Sequence, residues 1–383
     1  MHLPLILIPT AHFFIDMVIS TMPIALPILK LKFALSFTQV GLVATALNLT
    51  ASAIQPAFGT ISDRWQTNWL VPFGLFWTTL AMGLIGFVPN YYSLLLLVLL
   101  AGLGSSAFHP RGLKAAGESV PKRKGLAIAL FMLGGNLGFA VGPVVAALIF
   151  LNLGLRWAPL LLFPVAILAI GLWRYKESYN SPAIQPNGAA TGERGQVILL
   201  VISALCLLVI LRSWAHQGLS IFLPLFLQSR GYGLDAASHI LFAFLVSTAV
   251  GSLVAGYISD LVGRRKVMAA GLLLFSLPML LSYNSTGASS LLWLILAGFM
   301  LGVPLSTTLA LAQELMPTRT GLASGLMLGL SFGLGGIGVS FSGLISDLYG
   351  LHINMVALAL LPLFATPFLL LIKEPKGGEE DDG

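Results

Sequence analysis

The sequence is dominated by long apolar stretches that are separated by short polar segments. Each stretch is close to the roughly 20 residues that a helix needs to cross the hydrocarbon core of a bilayer. Because the stretches are continuously apolar and do not alternate with polar residues, they indicate helices and not the strands of a barrel. Twelve spans are predicted, at residues 4–29, 37–61, 69–88, 91–116, 123–151, 155–175, 197–228, 236–261, 266–284, 288–313, 320–347 and 351–372. The chain is therefore predicted to be an all-α integral membrane protein with 12 transmembrane helices.

Composition excludes the other broad classes. Charged residues make up 9% of the chain, whereas a soluble domain carries about 25% and needs them to cover its surface. The single cysteine, Cys206, excludes an internal disulfide framework and a cysteine-based metal cluster. The first apolar stretch lacks the basic start and small-residue cleavage site of a signal peptide, so we expect it to be retained as a span.

The positions of the basic residues predict an orientation. Cytoplasmic loops of membrane proteins carry an excess of Lys and Arg. With the N-terminus in the cytoplasm, the outside segments contain only Lys30, Lys32, Arg156 and Arg230, and the other basic residues except Arg212, which lies within a span, fall on the cytoplasmic side. We therefore expect a multi-pass protein of the inner or plasma membrane with both termini in the cytoplasm. The net charge of +6 then needs no nucleic-acid partner to explain it.

Two sequence matches at nearly one spacing indicate a duplicated chain. Residues 59–63, Gly-Thr-Ile-Ser-Asp, recur as Gly-Tyr-Ile-Ser-Asp at 256–260, an offset of 197 residues. A Glu-x-x-Pro-x-Arg element at 118–123 recurs at 314–319, an offset of 196 residues. Duplicated halves around a pseudo-two-fold axis are a common plan of secondary transporters, which bind substrate between the halves near the membrane midplane.

A polar segment divides six predicted spans from six. It covers residues 178–195 and is rich in Asn, Ser, Pro and Gly, which is typical of a linker. We therefore predict two pseudo-symmetric six-helix bundles, at 1–177 and 196–376, joined by this cytoplasmic linker. An acidic tail is predicted at 377–383.

The repeated elements lie at the predicted cytoplasmic ends of spans. The second copy continues as Asp260-Leu-Val-Gly263-Arg264-Arg265, which resembles the Gly-x-x-x-Asp-Arg-x-Gly-Arg-Arg loop signature of the major facilitator superfamily. The first copy begins with Asp63 and Arg64 but lacks the trailing Gly-Arg-Arg. The resemblance implies the major facilitator fold and transport by alternating access.

Charged residues of these loops are predicted to form a cytoplasmic latch that breaks when the cavity opens inward. Exposed ion pairs are worth only about 0–1 kcal/mol each, which suits a switch. The predicted gating residues are Gly59, Asp63, Arg64, Arg111, Glu118, Arg123, Gly256, Asp260, Arg264, Arg265, Glu314 and Arg319. The alternative is that these are solvated loop charges with no gating role.

Span five carries a second resemblance. Gly138-Phe-Ala-Val-Gly142-Pro143 resembles the Gly-x-x-x-Gly-Pro core of the family's antiporter signature, and it implies export by proton exchange. Ordinary packing of small residues is the alternative. Segments spread over nearly the whole chain, among them 104–110, resemble the fosmidomycin-resistance branch of these exporters. Arg111 stands where that branch is expected to have an acidic residue, so we expect a reversed charge beside the cavity.

Ionisable residues within spans are the candidates for the transport site. Such a residue costs about 2.5–3.5 kcal/mol to insert at the midplane, so it usually has a function or a partner. Asp16 lies in span one with His12 one turn before it, and Arg212 lies in span seven with His216 one turn after it. The predicted substrate- and proton-binding residues, which we expect to converge on one central cavity, are Asp16, Arg212, His12, His109, His216, Gln217 and Asn136.

These residues are assigned different roles. Asp16 is predicted to bind and release the proton, and Arg212 to attract an anionic substrate or to hold Asp16 ionised. The histidines are predicted to relay protons or to orient substrate, because imidazole titrates near neutral pH. A static ion pair between Asp16 and Arg212, and packing roles for the histidines, remain alternatives.

The sequence thus predicts a proton-coupled exporter of a small amphiphilic or anionic compound or drug. Proton symport of a metabolite into the cell has the same fold and is the main alternative. A membrane enzyme would need a metal-ligand spacing or a nucleophile–base set, and a sensor would bring an extra soluble domain, but the sequence has neither feature. The expected partners are the substrate, protons and the lipid bilayer, with the proton gradient as energy source, no cofactor, no metal, no nucleic acid and a monomeric state.

Overall fold

The computed structural model describes residues 3–65, 67–119, 124–179, 194–316 and 320–372. These residues form helices with short connections. The α-helices are α1 (Pro4–Ile19), α2 (Met22–Phe33), α3 (Phe37–Ala53), α4 (Gln55–Arg64), α5 (Leu70–Gly83), α6 (Tyr91–Ser119), α7 (Lys124–Asn152), α8 (Leu162–Arg174), α9 (Arg194–Ser229), α10 (Leu234–Val262), α11 (Arg264–Asn284), α12 (Gly287–Leu315), α13 (Thr320–Tyr349) and α14 (Leu351–Leu360). Short 3-10 helices lie at Leu84–Phe87, Leu155–Leu161, Lys176–Tyr179 and Leu361–Leu371.

Twelve helical segments within these ranges are long and apolar enough to cross a membrane. They are Pro4–Phe33, Phe37–Ser62, Leu70–Phe87, Tyr91–Ser119, Leu126–Asn152, Leu155–Arg174, Leu199–Ser229, Leu234–Val262, Arg264–Asn284, Gly287–Leu315, Gly325–Tyr349 and Leu351–Leu371. Each corresponds to one predicted span, so the predicted all-α architecture with 12 transmembrane helices is confirmed. Residues 180–193 of the predicted linker and the whole predicted tail lie outside the described residues.

The first span is longer than predicted and is interrupted between α1 and α2. Pro23 lies in the first turn of α2, where its missing N–H removes no bond within the helix. The hydroxyls of Ser20 and Thr21 donate to the carbonyls of Met17 and Val18, at 3.2 and 2.7 Å. These local bonds satisfy carbonyl groups at the interruption, and the span continues to Phe33.

The chain contains two compact units. The first comprises the described parts of residues 1–185, 217–246 and 332–355, and the second those of 186–216, 247–331 and 356–383. Helices α1, α5, α6, α7 and α8 contribute to a buried core of the first unit that includes Ile8, Ile15, Leu75, Phe108 and Phe131. Helices α9, α11, α12 and α13 contribute to a core of the second unit that includes Leu205, Leu208, Met268, Leu311 and Met327.

Local helix packing repeats with the offset of the sequence repeat. A side-chain carbon at Gly74 of α5 would lie 2.5 Å from the Gly104 carbonyl of α6, and one at Gly271 of α11 would lie 2.9 Å from the Met300 carbonyl of α12. The members of these two pairs are 197 and 196 residues apart. A side-chain carbon at Gly59 would lie 3.8 Å from Pro110 Cβ, and one at Gly256 would lie 3.7 Å from Ser306 Oγ and 3.8 Å from its Cβ. A methyl group at Gly59 or Gly256 would therefore make ordinary contacts, and neither glycine is needed for close approach.

Within the first unit, α3 packs closely against the C-terminal half of α13. Asp347 accepts hydrogen bonds from the backbone N–H groups of Phe37 and Thr38, both at 2.8 Å, where α3 begins. A carboxylate at a helix N-terminus is favourable because the free N–H groups and the helix dipole both attract it. Deeper in the span, the Thr45 hydroxyl donates to the Gly336 carbonyl at 2.6 Å and lies 2.7 Å from the Ser340 hydroxyl. These contacts join the two helices both at the start of α3 and deeper in the span.

A disulfide between α3 and α13 is expected to arrest transport. The Thr45 and Ser340 hydroxyl oxygens are 2.7 Å apart, so sulfur atoms in their places would come within reach of a bond. In a Cys206→Ser background, which removes the only native cysteine, Thr45→Cys with Ser340→Cys should cross-link under mild oxidation. We expect transport to stop on oxidation and to recover with reductant, whereas either single cysteine should leave it insensitive. Full transport in the cross-linked protein would mean that these contacts do not open during the cycle.

Candidate proton-binding site and cytoplasmic charge clusters

The first unit contains a cluster of three ionisable side chains within its spans. The Asp16 carboxylate of α1 lies between two imidazoles, with Oδ2 3.2 Å from His12 Nε2 and Oδ1 3.2 Å from His109 Nε2. His12 belongs to the turn of α1 before Asp16, and His109 comes from α6. The His12 side chain is 7% exposed, and those of Asp16 and His109 are 20% and 22% exposed. The structure therefore brings together three of the residues predicted for the proton site.

Backbone carbonyls orient both imidazoles. His12 Nδ1 lies 2.7 Å from the Phe131 carbonyl oxygen, and His109 Nδ1 lies 2.8 Å from the Ser105 carbonyl oxygen. A carbonyl oxygen only accepts hydrogen bonds, so each Nδ1 must carry a hydrogen and donate it. Each Nε2 is left facing a carboxylate oxygen, which also only accepts when ionised. The two contacts with Asp16 are favourable only when a proton lies in each of them.

The spacing of the cluster would also admit a cation, since one ligand atom from each residue lies within 4.8 Å of the other two. Sequence spacing did not indicate a metal site, because His109 is on a different helix from His12 and Asp16. Three protein ligands are one fewer than a closed tetrahedral metal site has.

Glycines of α7 make room for the cluster. A side-chain carbon at Gly135 would lie 2.5 Å from His12 Nε2 and 2.8 Å from Asp16 Oδ2. At Gly138 and Gly142, of the predicted antiporter motif, it would collide with the backbone carbonyls of Phe13 and Met17 in α1. The motif thus lets α7 approach the helix that carries Asp16. Pro143 follows Gly142 inside α7.

Arg212 is buried in the second unit. Its side chain is 3% exposed, and its Nη2 donates to Ser213 Oγ at 2.8 Å. Its Nε and Nη1 have no hydrogen-bond partner among the described residues. A buried cation with unused donors is costly, which makes this guanidinium a candidate for binding an anion.

The other predicted binding residues lie on α9 and α7. His216 is half-buried one turn after Arg212. Gln217 is buried and belongs to the first unit, where a side-chain carbon at Gly336 would lie 3.4 Å from its Oε1. Asn136 is exposed on α7 beside Gly135. Convergence of Asp16 and Arg212 on one cavity stays a prediction.

The charges at the predicted cytoplasmic end of the second repeat form one cluster. Arg264 Nη1 lies 2.5 Å from Asp260 Oδ1, and Arg264 Nη2 lies 2.8 Å from Glu314 Oε1. The carboxylate side chains are 58% and 42% exposed, so both pairs are accessible to water. Arg265 is half-buried beside Arg264 at the start of α11.

The charges at the predicted cytoplasmic end of the first repeat include a buried ion pair. Arg111 is buried: its side chain is 3% exposed and donates from Nη1 to Glu118 at 3.0 Å. Its Nε donates to Asn68 Oδ1 at 2.9 Å, and Nη2 bonds the same oxygen. Asn68 Nδ2 in turn donates to the Lys176 carbonyl at 2.9 Å. The sequence alone could not show that Asn68 lies within reach of Arg111. The expected charge of Arg111 beside the cavity stays a prediction.

Other predicted gating residues have no described side chain. Asp63 and Arg64 are at the end of α4, but only their backbone is described. Arg123 and Arg319 lie outside the described residues.

Comparison with known proteins decides the family. The family model described as Major Facilitator Superfamily matches residues 10–239 and 205–383. The chain belongs to the Major Facilitator Superfamily. It is therefore a transporter and not an enzyme, and a multi-pass membrane protein.

Relatives in this superfamily cover nearly the whole chain. The fosmidomycin resistance protein of Escherichia coli (strain K12) is 32% identical over 93% of this chain and 89% of its own length. The multi-drug resistance efflux pump PmrA of Streptococcus pneumoniae serotype 4 is 25% identical over 93% of this chain and 92% of its own length. A solved structure of a bacterial homolog of the human lysosomal transporter Spinster, inward-facing and occupied, has a TM-score of 0.80 and 17% identity over 96% of this chain and 95% of that one. This likeness confirms the major facilitator fold.

Several residues that shape these sites were not predicted. The Phe131 and Ser105 carbonyls left no signal, because any residue supplies a backbone carbonyl. Gly135 directly precedes Asn136, a predicted binding residue, and lies three residues before Gly138 of the predicted antiporter motif, so its position could have marked it. Asn68 and Asp347 act across the fold and have no local sequence pattern that marks them.

Proposed function

We propose that this transporter exports a small anionic or amphiphilic compound in exchange for protons. The proton part rests on one observation: Asp16 faces two imidazole nitrogens whose partner nitrogens are both bonded to backbone carbonyls. The other parts rest on Arg212, on the glycine motif of α7 and on the relatives.

The cluster can exist in two states that differ in charge. With a proton in each Nε2–carboxylate contact, both imidazoles are cationic and the carboxylate has two charge-assisted hydrogen bonds, the stronger kind. When these protons leave, lone pairs face a carboxylate at 3.2 Å on both sides and the arrangement is repulsive. Proton release should therefore move α1, α6 or both, which would link protonation to the conformational cycle.

Arg212 is the proposed anchor for the compound. A guanidinium presents donors in a planar fork that suits carboxylate and phosphate groups, and here Nε and Nη1 are available within the described structure. Export is favoured over uptake because Gly138 and Gly142 belong to an antiporter-type motif and because relatives are named for fosmidomycin resistance and for drug efflux.

The cytoplasmic cluster of Arg264, Asp260 and Glu314 is the proposed latch. Exposed pairs of this kind are worth only about 0–1 kcal/mol each, so they can break in every cycle. We further propose that the protein acts as a monomer in the plasma membrane with both termini in the cytoplasm, as two six-helix bundles at 1–177 and 196–376.

The sign of proton movement tests the exchange. The purified protein is reconstituted into liposomes that contain a pH-sensitive dye, with no initial pH difference. Fosmidomycin is added outside, because a relative is named for resistance to it. Antiport should raise the internal pH as protons leave while the compound enters. Arg212→Gln should weaken the response by raising the KM about tenfold or more, since a hydrogen-bonded charge is worth about 1.5–3 kcal/mol.

Two other results would contradict the proposal. A fall of internal pH would mean that protons enter with the compound, which is the symport alternative. No response to fosmidomycin, nor to a panel of organic carboxylates and phosphates, would exclude anion–proton exchange.

A further inference from the structure

Each repeat has an arginine that binds the glutamate of its Glu-x-x-Pro-x-Arg element, but the two arginines come from different positions in the repeat. In the second repeat Arg264, at the start of α11, binds Glu314 near the end of α12 at 2.8 Å. In the first repeat Arg111, within α6, binds Glu118 near the end of that helix at 3.0 Å. Glu118 and Glu314 are equivalent, because they are 196 residues apart within the repeated Glu-x-x-Pro-x-Arg element.

The two arginines are not equivalent. At the offset of 197 residues that relates Asp63 to Asp260, the counterpart of Arg264 is Thr67. At the offset of 196 residues, the counterpart of Arg111 is Thr307. Helix packing supports this second alignment. Pro110, which precedes Arg111, packs near Gly59, and Ser306, which precedes Thr307, packs near Gly256. Each repeat thus has an arginine where the other has a threonine.

Both arginines join the same structural elements. Arg264 connects the start of α11 to the end of α12. Arg111 connects α6 to Asn68, which lies directly before α5, and Asn68 is bonded to the Lys176 carbonyl after α8. Thr67 is 4% exposed, and its hydroxyl has no hydrogen-bond partner among the described residues. Thr67 occupies the position that corresponds to Arg264 in the second repeat.

We propose that Arg111 is a positioning residue that does in the first repeat what Arg264 does in the second. It holds the loop between spans two and three against the cytoplasmic end of span four, and it neutralises Glu118. The glutamate side chain is 13% exposed, and removing one partner of a buried ion pair leaves an uncompensated charge. The first repeat therefore keeps this cytoplasmic connection although its loop lacks the trailing arginines. The inference and its melting-temperature test do not depend on the proposed substrate; only the kinetic test below rests on the proposed function.

Moving the arginine tests the proposal. Arg111→Thr should lower the melting temperature of the detergent-purified protein by about 5–10 °C, because it breaks a buried pair. Thr67→Arg in that background reproduces the arrangement of the second repeat, and it should recover at least half of the loss. Arg174→Thr, at an exposed position on the same predicted side, is the matched control and should change the melting temperature by less than about 2 °C.

Transport kinetics separate positioning from substrate binding. In the liposome assay with fosmidomycin, Arg111→Thr should reduce the maximal rate about tenfold with little change in KM, and Thr67→Arg should restore the rate. A double variant that melts no higher than Arg111→Thr would overturn the proposal, as would an Arg111→Thr protein of unchanged melting temperature with a raised KM. If Thr67→Arg prevents folding by itself, Arg264→Thr with Thr307→Arg poses the same question in the second repeat. If that double variant melts no higher than Arg264→Thr alone, the proposal is equally refuted.

Discussion

Asp16→Asn is expected to abolish proton-coupled transport while the protein remains folded. The Asn side chain has nearly the same shape, but it carries no negative charge to hold protons on His12 and His109. One hydrogen bond to a charged group is worth about 1.5–3 kcal/mol, so loss of a single contact alone should weaken proton binding roughly 10- to 100-fold. Both contacts with the carboxylate, at 3.2 Å each, change in this variant.

The measurement is proton movement in the dye-loaded liposomes, together with the melting temperature of the purified protein. Asp235→Asn is the matched control, because it makes the same chemical change at the start of α10, where the side chain is 70% exposed. That variant should transport at the wild-type rate. Undiminished proton movement by Asp16→Asn would remove Asp16 from the proton route and leave the cluster with a packing role.

Gly135→Ala is expected to impair proton coupling although it changes no ionisable group. The added methyl would lie 2.5 Å from His12 Nε2 and 2.8 Å from Asp16 Oδ2, so at least one of these side chains must move. Overpacking of this kind costs about 1–3 kcal/mol, and displaced atoms would lose contacts that are already at 3.2 Å. We expect proton movement to fall at least tenfold with a melting temperature lowered by only a few degrees.

Gly171→Ala provides the control for the glycine experiment. Gly171 is also helical, but a side-chain carbon there meets nothing within 4 Å. This substitution should be neutral or slightly stabilising, by up to about 1 kcal/mol, because Ala has the higher helix propensity. If Gly135→Ala transports as well as Gly171→Ala does, the cluster tolerates displacement and the proposed geometry of proton binding is wrong.

The spans could be predicted because lipid imposes a simple rule on sequence. A helix that crosses the hydrocarbon core must be apolar over about 20 residues, and each predicted span has its counterpart in the structure. The boundaries were less accurate where side-chain hydroxyls and prolines interrupt a span, as at Ser20 and Pro23. Hydropathy does not register such local bonding.

The proton cluster could be predicted in part. His12 and Asp16 are four residues apart, so helical periodicity alone places them together. His109 was recognised as a costly residue within a span, but its contact with Asp16 depends on how α6 packs against α1. The carbonyls that fix both imidazoles depend on the same packing, and no side-chain identity encodes them.

The contacts of Arg111 could not be predicted, for a related reason. A family comparison identifies an unusual residue but not its neighbours, and the neighbour that matters here, Asn68, is 43 residues away. Thr67 and Thr307 draw no attention in the sequence. Their correspondence to Arg264 and Arg111 emerges only when the two repeats are aligned.

The contact of Asp347 with α3 constrains the residue type more strongly at position 347 than at position 37. One partner is a particular carboxylate, whereas the other is mainly a pair of main-chain amides. Position 37 can therefore take almost any residue except proline without losing its bond to the acid. Position 347 has no such freedom, because a shorter, longer or neutral side chain would present different acceptors. Position 38 is also constrained, because the Thr38 hydroxyl donates to Asp347 at 2.6 Å. Sequence drift at this junction should therefore be freest at position 37.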